Sequence, residues 1–98
     1  MLVNLRELDC RDTVITDVSK LVNLKKLVCA QTAIRDVSML VSLKTLCCHN
    51  TAITDVSTLI NLETLSCYDT AITDVSMLVN LNMLYPSTLD TSMLPNNL

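Results

Sequence analysis

The chain has no glycine, no phenylalanine and no tryptophan, and its 98 residues include only two prolines and two tyrosines. Without glycine, the calcium-binding repeats that depend on glycine turns are excluded. Basic residues are also few, seven against ten acidic, for a net charge of −3. That balance offers no electrostatic footprint for nucleic acid. The apolar segments are broken every few residues, so none reaches the ~18 residues of a membrane span. The N-terminus MLVNLRELDC has no basic stretch followed by an apolar one and does not read as a signal peptide. Five cysteines are an odd count, which argues for a reducing cytoplasm rather than a disulfide framework. Neither a nucleic-acid nor a membrane partner is expected, and no cofactor motif is present.

What is present is half apolar and drawn almost wholly from Leu, Val, Ile, Ala, Met and Cys. A chain of this length can bury roughly 60 to 70% of the surface it exposes when unfolded, enough for one domain. The heptapeptide TAITDVS at 51–57 returns unchanged at 70–76. It is one phase of a longer tandem repeat. LVNLRELDCRDTVITDVSK (2–20), LVNLKKLVCAQTAIRDVSM (21–39), LVSLKTLCCHNTAITDVST (40–58) and LINLETLSCYDTAITDVSM (59–77) are four rows of 19 residues. A degenerate terminal row follows at 78–98, in which Pro86 replaces the cysteine, Leu89 the threonine and Thr91 the isoleucine.

Periods of this length mark solenoids, in which no row buries its own apolar face and stacking closes the core. Leu5, Leu8, Cys10, Ile15, Val18 and Leu21 recur at constant offsets and define the inward columns. Lys26-Leu27-Val28-Cys29 alternates as a strand does, with Leu27 and Cys29 inward. Val37, Leu40 and Leu43 then stand three apart, a spacing that predicts a helical or 3₁₀ turn on the opposite side. Coils stacked in parallel at about 4.8 Å would span only ~20 to 25 Å over five rows.

The pattern L-x-x-L-x-C-x-x-T-x-I resembles the leucine-rich repeat consensus, and ITDVSxLxxL is similar to its internalin-like and SDS22-like subgroup. The resemblance covers residues 2 to about 85. It implies an α/β solenoid, a curved right-handed coil with a concave parallel β-sheet and short 3₁₀ or helical turns on the convex side. The chain departs from the family in two ways. Thr13, Thr32, Thr51 and Thr70 stand where Asn is usual, and the row is about three residues shorter than internalin-type rows. The threonine hydroxyls are expected to bond backbone between coils, less fully than an amide would.

The recurring polar residues have structural readings. Asp17, Asp36, Asp55 and Asp74 each open a D-V-S-x-L turn, where Asp and Ser accept from free N–H groups. A carboxylate repeated in every row caps turns rather than forming one metal or catalytic site. Cys10, Cys29, Cys48 and Cys67 make an inward column of small hydrophobes expected to stay reduced, since a ladder cannot converge on a metal. Cys47 faces outward close to His49, the pair a thiol nucleophile would use. No orienting carboxamide or carboxylate, oxyanion hole or pocket accompanies it, so it reads as an exposed contact residue.

The outward strand positions vary while the frame does not: Glu7 and Asp9, Lys26 and Val28, Thr45 and Cys47, Thr64 and Ser66, Met83 and Tyr85. Arg11, Ala30, His49 and Tyr68 lie just beyond, then Asp12, Gln31, Asn50 and Asp69. Lys26, Val28, Thr45, Cys47, His49, Thr64, Ser66, Tyr68, Met83 and Tyr85 are the expected contact set of a non-enzymatic protein–protein interaction module, the commonest role among leucine-rich repeats. The internalin resemblance raises an alternative, a viral or pathogen protein that intercepts a host signalling component in the host cytoplasm. A structural or ice-binding solenoid is a third reading, prompted by the threonine column. The first row has no capping segment ahead of Leu2, so either the chain is a fragment or its N-terminal edge forms a homodimer. At the other end Pro86 and Pro95 oppose further pairing, and Leu89, Met93 and Leu94 are expected to cover the last coil.

Overall fold

The computed structural model describes residues 4–85. Five three-residue strands, β1 (Glu7–Asp9), β2 (Lys26–Val28), β3 (Thr45–Cys47), β4 (Thr64–Ser66) and β5 (Met83–Tyr85), form one parallel sheet in sequence order. Leu8 pairs with Leu27, Leu27 with Leu46, Leu46 with Leu65 and Leu65 with Leu84, so one coil is one 19-residue row. Each strand is short because only its central leucine alternates inward between two outward neighbours. The hydrogen bonds continue on both sides of the strands. The N–H groups of Lys25 and Lys26 both donate to the Arg6 carbonyl, and Cys29 N–H donates to Cys47 carbonyl at 2.9 Å.

The inward columns form one continuous core. Leu24, Leu27, Ile34, Leu40, Leu43, Leu46, Ile53, Leu59, Leu62, Leu65, Leu78 and Leu81 are fully buried, with Cys29, Cys48 and Cys67 between them. Burying one such leucine or isoleucine is worth about 1.5 to 3 kcal/mol. Coverage falls at the described ends, where Leu5, Leu8, Leu21 and Leu84 are only partly buried. Ile15, whose equivalents are buried, is 37% exposed. Among the described residues, these have a neighbouring coil on one side only. The expected C-terminal cover of Leu89, Met93 and Leu94, the two prolines, and residues 1–3 lie outside the described residues.

The turn side corrects one expectation. Among the described residues there is no helix, neither α nor 3₁₀. Leu21 N–H donates to the Val18 carbonyl at 3.0 Å and Leu24 N–H to the Leu21 carbonyl at 3.1 Å, and the same two bonds recur in the next three coils. They are separate turns joined end to end. A 3₁₀ helix needs this bond from successive residues, whereas here the two bonds come from residues three apart; just ahead of them the Ser19 N–H donates to the Asp17 carboxylate at 2.9 Å. Ser38, Ser57 and Ser76 do the same to Asp36, Asp55 and Asp74. The aspartate column therefore caps turns, and those bonds lower the pKa of all four carboxyls.

The threonine column also differs from expectation. Thr32 hydroxyl donates to the Cys29 carbonyl at 2.7 Å and accepts from Ile34 N–H at 3.4 Å, both within its own coil. Thr13, Thr51 and Thr70 repeat the arrangement. At this corner each hydroxyl closes the local bend instead. Bridging falls to side chains on the turn side, where Asn61 and Asn80 donate from Nδ2 to the Val41 and Ile60 carbonyls of the preceding coil, each at 3.1 Å, and the Thr58 hydroxyl donates to the Ser38 carbonyl at 2.9 Å.

The candidate protein-interaction face

Parallel register turns the outward strand residues into columns. Glu7, Lys26, Thr45, Thr64 and Met83 make one, and Asp9, Val28, Cys47, Ser66 and Tyr85 the next. Neighbours within a column stand about 4.8 Å apart, the spacing of paired strands. A third column, one residue past the cysteine ladder, holds Arg11, Ala30, His49 and Tyr68. All ten expected contact residues thus lie on one face. Lys26, Tyr68, Met83 and Tyr85 are exposed, while Val28, Thr45, Cys47, His49, Thr64 and Ser66 are half-buried among their neighbours. Ala30, expected outward, is buried, because a methyl between the much larger Arg11 and His49 is overlaid by them.

Local chemistry differs along the face. At the β1 end, Arg11 holds both carboxylate oxygens of Asp9 at 2.9 Å, a bidentate pair that keeps the Asp9 carboxyl below its usual range. Glu7, Leu8, Asp9, Lys26 and Val28 line a depression of about 370 Å³ there. In the middle, His49 stacks on Tyr68 with ring centroids 4.3 Å apart and planes 8° from parallel. Equal offsets in adjacent coils place two rings at nearly the stacking distance. His49 Nδ1 is buried and has no hydrogen-bond partner among the described residues. The imidazole is thus committed to a stack. Cys47 stands in register with Val28 and Ser66, half-buried between them.

Beneath this face, Cys10, Cys29, Cys48 and Cys67 are buried, and neither they nor Cys47 form a disulfide among the described residues. Burial raises the pKa of the four ladder thiols, that of Cys29 to about 12. They are neutral packing groups. No group of three or more His, Cys, Asp or Glu among the described residues could hold a metal ion. No described helix is long and apolar enough to cross a membrane.

One feature of the frame escaped the sequence reading. Asp12, Gln31, Asn50 and Asp69 adopt positive φ of 57 to 59°, in a chain without glycine. There the backbone turns out of the sheet, and the N–H groups of Asp12, Gln31 and Asn50 donate to the Ala30, His49 and Tyr68 carbonyls of the next coil. Asp and Asn tolerate this left-handed conformation better than other non-glycine residues. Their recurrence two places after the ladder cysteine was the available signal.

No family model matches the sequence, and no curated protein matches it. Solved structures do. An internalin, InlF, from Listeria monocytogenes matches over 86% of this chain with TM-score 0.69 and 28% identity. The functional domain of InlJ from the same organism, described as including a cysteine ladder, matches over 91% with TM-score 0.75 and 28% identity. Internalin C2, also from L. monocytogenes, matches over 87% with TM-score 0.66 and 31% identity. The chain spans 28%, 23% and 43% of the lengths of those three chains, respectively. With its 19-residue rows, parallel solenoid and buried cysteine ladder, the chain resembles the internalin-like leucine-rich repeat proteins in fold and sequence pattern.

Proposed function

We propose that residues 1–98 form one leucine-rich repeat domain that acts without catalysis, as a protein–protein interaction module whose strand face meets the partner. One observation carries this reading. Across that face the side chains change from coil to coil, as in Val28, Cys47, Ser66 and Tyr85, while the leucines beneath them do not. Core packing explains the constancy but not the variation. Tyr68, Met83 and Tyr85 are exposed and offer the large, partly apolar surfaces that anchor interfaces. Five cysteines with no disulfide among the described residues favour a reducing compartment such as the cytoplasm.

The likeness to three Listeria internalins supports a second version, in which the chain is a pathogen protein that intercepts a host component. A crosslinking pull-down tests both, with bait of the intact chain, Tyr68→Ala, Tyr85→Ala and the turn-side control Ser38→Ala. The two tyrosine variants are expected to weaken capture about tenfold or more and the control to leave it unchanged. Capture that responds only to Ser38→Ala would overturn the strand-face assignment. Host lysate as the sole source of the partner would favour interception. The ice-binding reading loses its support, because the Thr32, Thr51 and Thr70 hydroxyls are directed to their own backbone.

A further inference from the structure

Val22, Val41, Ile60 and Val79 share one offset of the row on the turn side and are 39 to 60% exposed. Met39 and Met77, two places earlier in their rows, are each 56% exposed. The fold does not require apolar residues at these positions. Leu21, Leu40, Leu59 and Leu78 fill the core next to them, and the asparagine rungs at 61 and 80 bond through backbone carbonyls rather than these side chains. Six half-exposed side chains present on the order of 500 Å² of apolar surface, the size at which a patch on a soluble protein marks a contact.

The charges beside the stripe indicate what covers it. All seven basic residues fall between Arg6 and Lys44, so residues 1–44 carry seven basic and five acidic side chains, and residues 45–98 none and five. Three places beyond the stripe, the flank reads Lys25, Lys44, Glu63 and Asn82 along the coils. Lys44 and Glu63 already pair within the chain at 3.4 Å, both about half exposed. A second copy running the same way would set Lys25 on one flank against Lys20 on the other. A second copy running the opposite way sets the Lys44 flank against the Glu63 flank, and the basic half against the acidic half.

We propose that the stripe is a self-association surface, taken by a second copy of this chain in antiparallel two-fold register. Val41 then meets Ile60 of the second copy, Val22 meets Val79, and the two Lys44–Glu63 pairs merge into a four-charge cluster. Two-fold contacts close, so the assembly stops at a dimer. It buries about 1,000 Å² in total, the lower bound for a specific interface, so the dimer forms and dissociates with concentration rather than being obligate. Both strand faces stay open, and each dimer presents two of them to a partner. This surface is separate from the β1 edge.

Sedimentation velocity across a dilution series, with circular dichroism to confirm folding, tests the proposal. The chain is expected to pass from monomer to dimer in the micromolar range. The double variant Val41→Glu/Ile60→Glu, at solvent-facing positions, is expected to raise the dimerisation midpoint at least tenfold. Lys44→Glu and Glu63→Lys should each weaken self-association, and an equimolar mixture of the two should restore it as a heterodimer. With Cys47→Ser as background, Val22→Cys mixed with Val79→Cys should form an intermolecular disulfide that Val22→Cys alone does not. A strict monomer at high micromolar concentration would overturn the proposal. So would a dimer indifferent to Val41→Glu/Ile60→Glu, or one crosslinked by Val22→Cys alone.

Discussion

Gln31 holds φ at 59° without the short side chain that lets Asp12, Asn50 and Asp69 adopt the same conformation cheaply. For an ordinary L-residue the left-handed conformation costs roughly 1 to 2 kcal/mol, because Cβ approaches the following carbonyl oxygen. Gln31→Gly removes that clash and adds about 0.5 to 1 kcal/mol of unfolded-state freedom that folding must overcome. The expected balance is a gain of about 0.5 to 1 kcal/mol, or a melting temperature higher by roughly 2 to 8 °C in a domain of this size. Gln31→Asn should gain in the same direction and by less. Gln31→Pro should lose about 3 kcal/mol or more, since it fixes φ near −65° and deletes the N–H that donates to the His49 carbonyl at 3.1 Å. Urea unfolding reads the result as a shift in midpoint at constant slope. The control is Arg35→Gly, at a residue without positive φ. If Gln31→Gly lowers the midpoint as much as Arg35→Gly does, left-handed strain is not what distinguishes this corner and the reasoning fails.

Ser42 occupies the rung position filled by Asn61 and Asn80, so Ser42→Asn should reach the Val22 carbonyl and stabilise by about 0.5 to 1.5 kcal/mol, while Asn61→Ala should destabilise similarly, both by urea titration. Leu46, fully buried between Leu27 and Leu65, should lose about 3 to 5 kcal/mol on change to Ala, and the half-buried Leu8 distinctly less; equal losses would contradict a core that tapers toward its ends. Native alkylation counted by mass spectrometry should give one fast label, on Cys47, with the four ladder thiols labelled only after unfolding. Asp17, Asp36, Asp55 and Asp74 have lowered pKa values when folded, so their stabilisation is complete above about pH 4 and disappears as pH falls through those lowered values; Asp55→Asn, which keeps an acceptor for Ser57 N–H, should flatten that acid limb in a pH series of melts.

Much of the frame was legible because it is periodic. Leu27, Cys29, Ile34, Val37, Leu40 and Leu43 repeat at fixed offsets, and only stacked coils can bury six such columns at once. The same logic identified the aspartates as turn caps, an interaction complete within three residues. The ten candidate contact residues fell on one face because strand alternation dictates which side a residue takes. The stripe of Val22, Val41 and Ile60 was equally periodic and stood outside the inward columns, but spacing alone did not show that it forms one exposed apolar surface.

The amino-acid order by itself determined the 19-residue coil, its inward columns, its parallel register and the capping role of the aspartates, since each follows from spacing along a single row. Tertiary structure alone decided whatever depends on the atoms one coil away. The corner at Gln31 turns left-handed so that its N–H can meet the His49 carbonyl of the next coil. Ala30 is buried because Arg11 and His49 flank it, and His49 stacks because Tyr68 follows at the same offset. The turns stay separate rather than winding into a 3₁₀ helix, their bonds falling three residues apart, and Asp17 caps the first of them through the Ser19 N–H. Each outcome is set by competition for a hydrogen bond or for space within about 5 Å, and row spacing alone does not say which group wins.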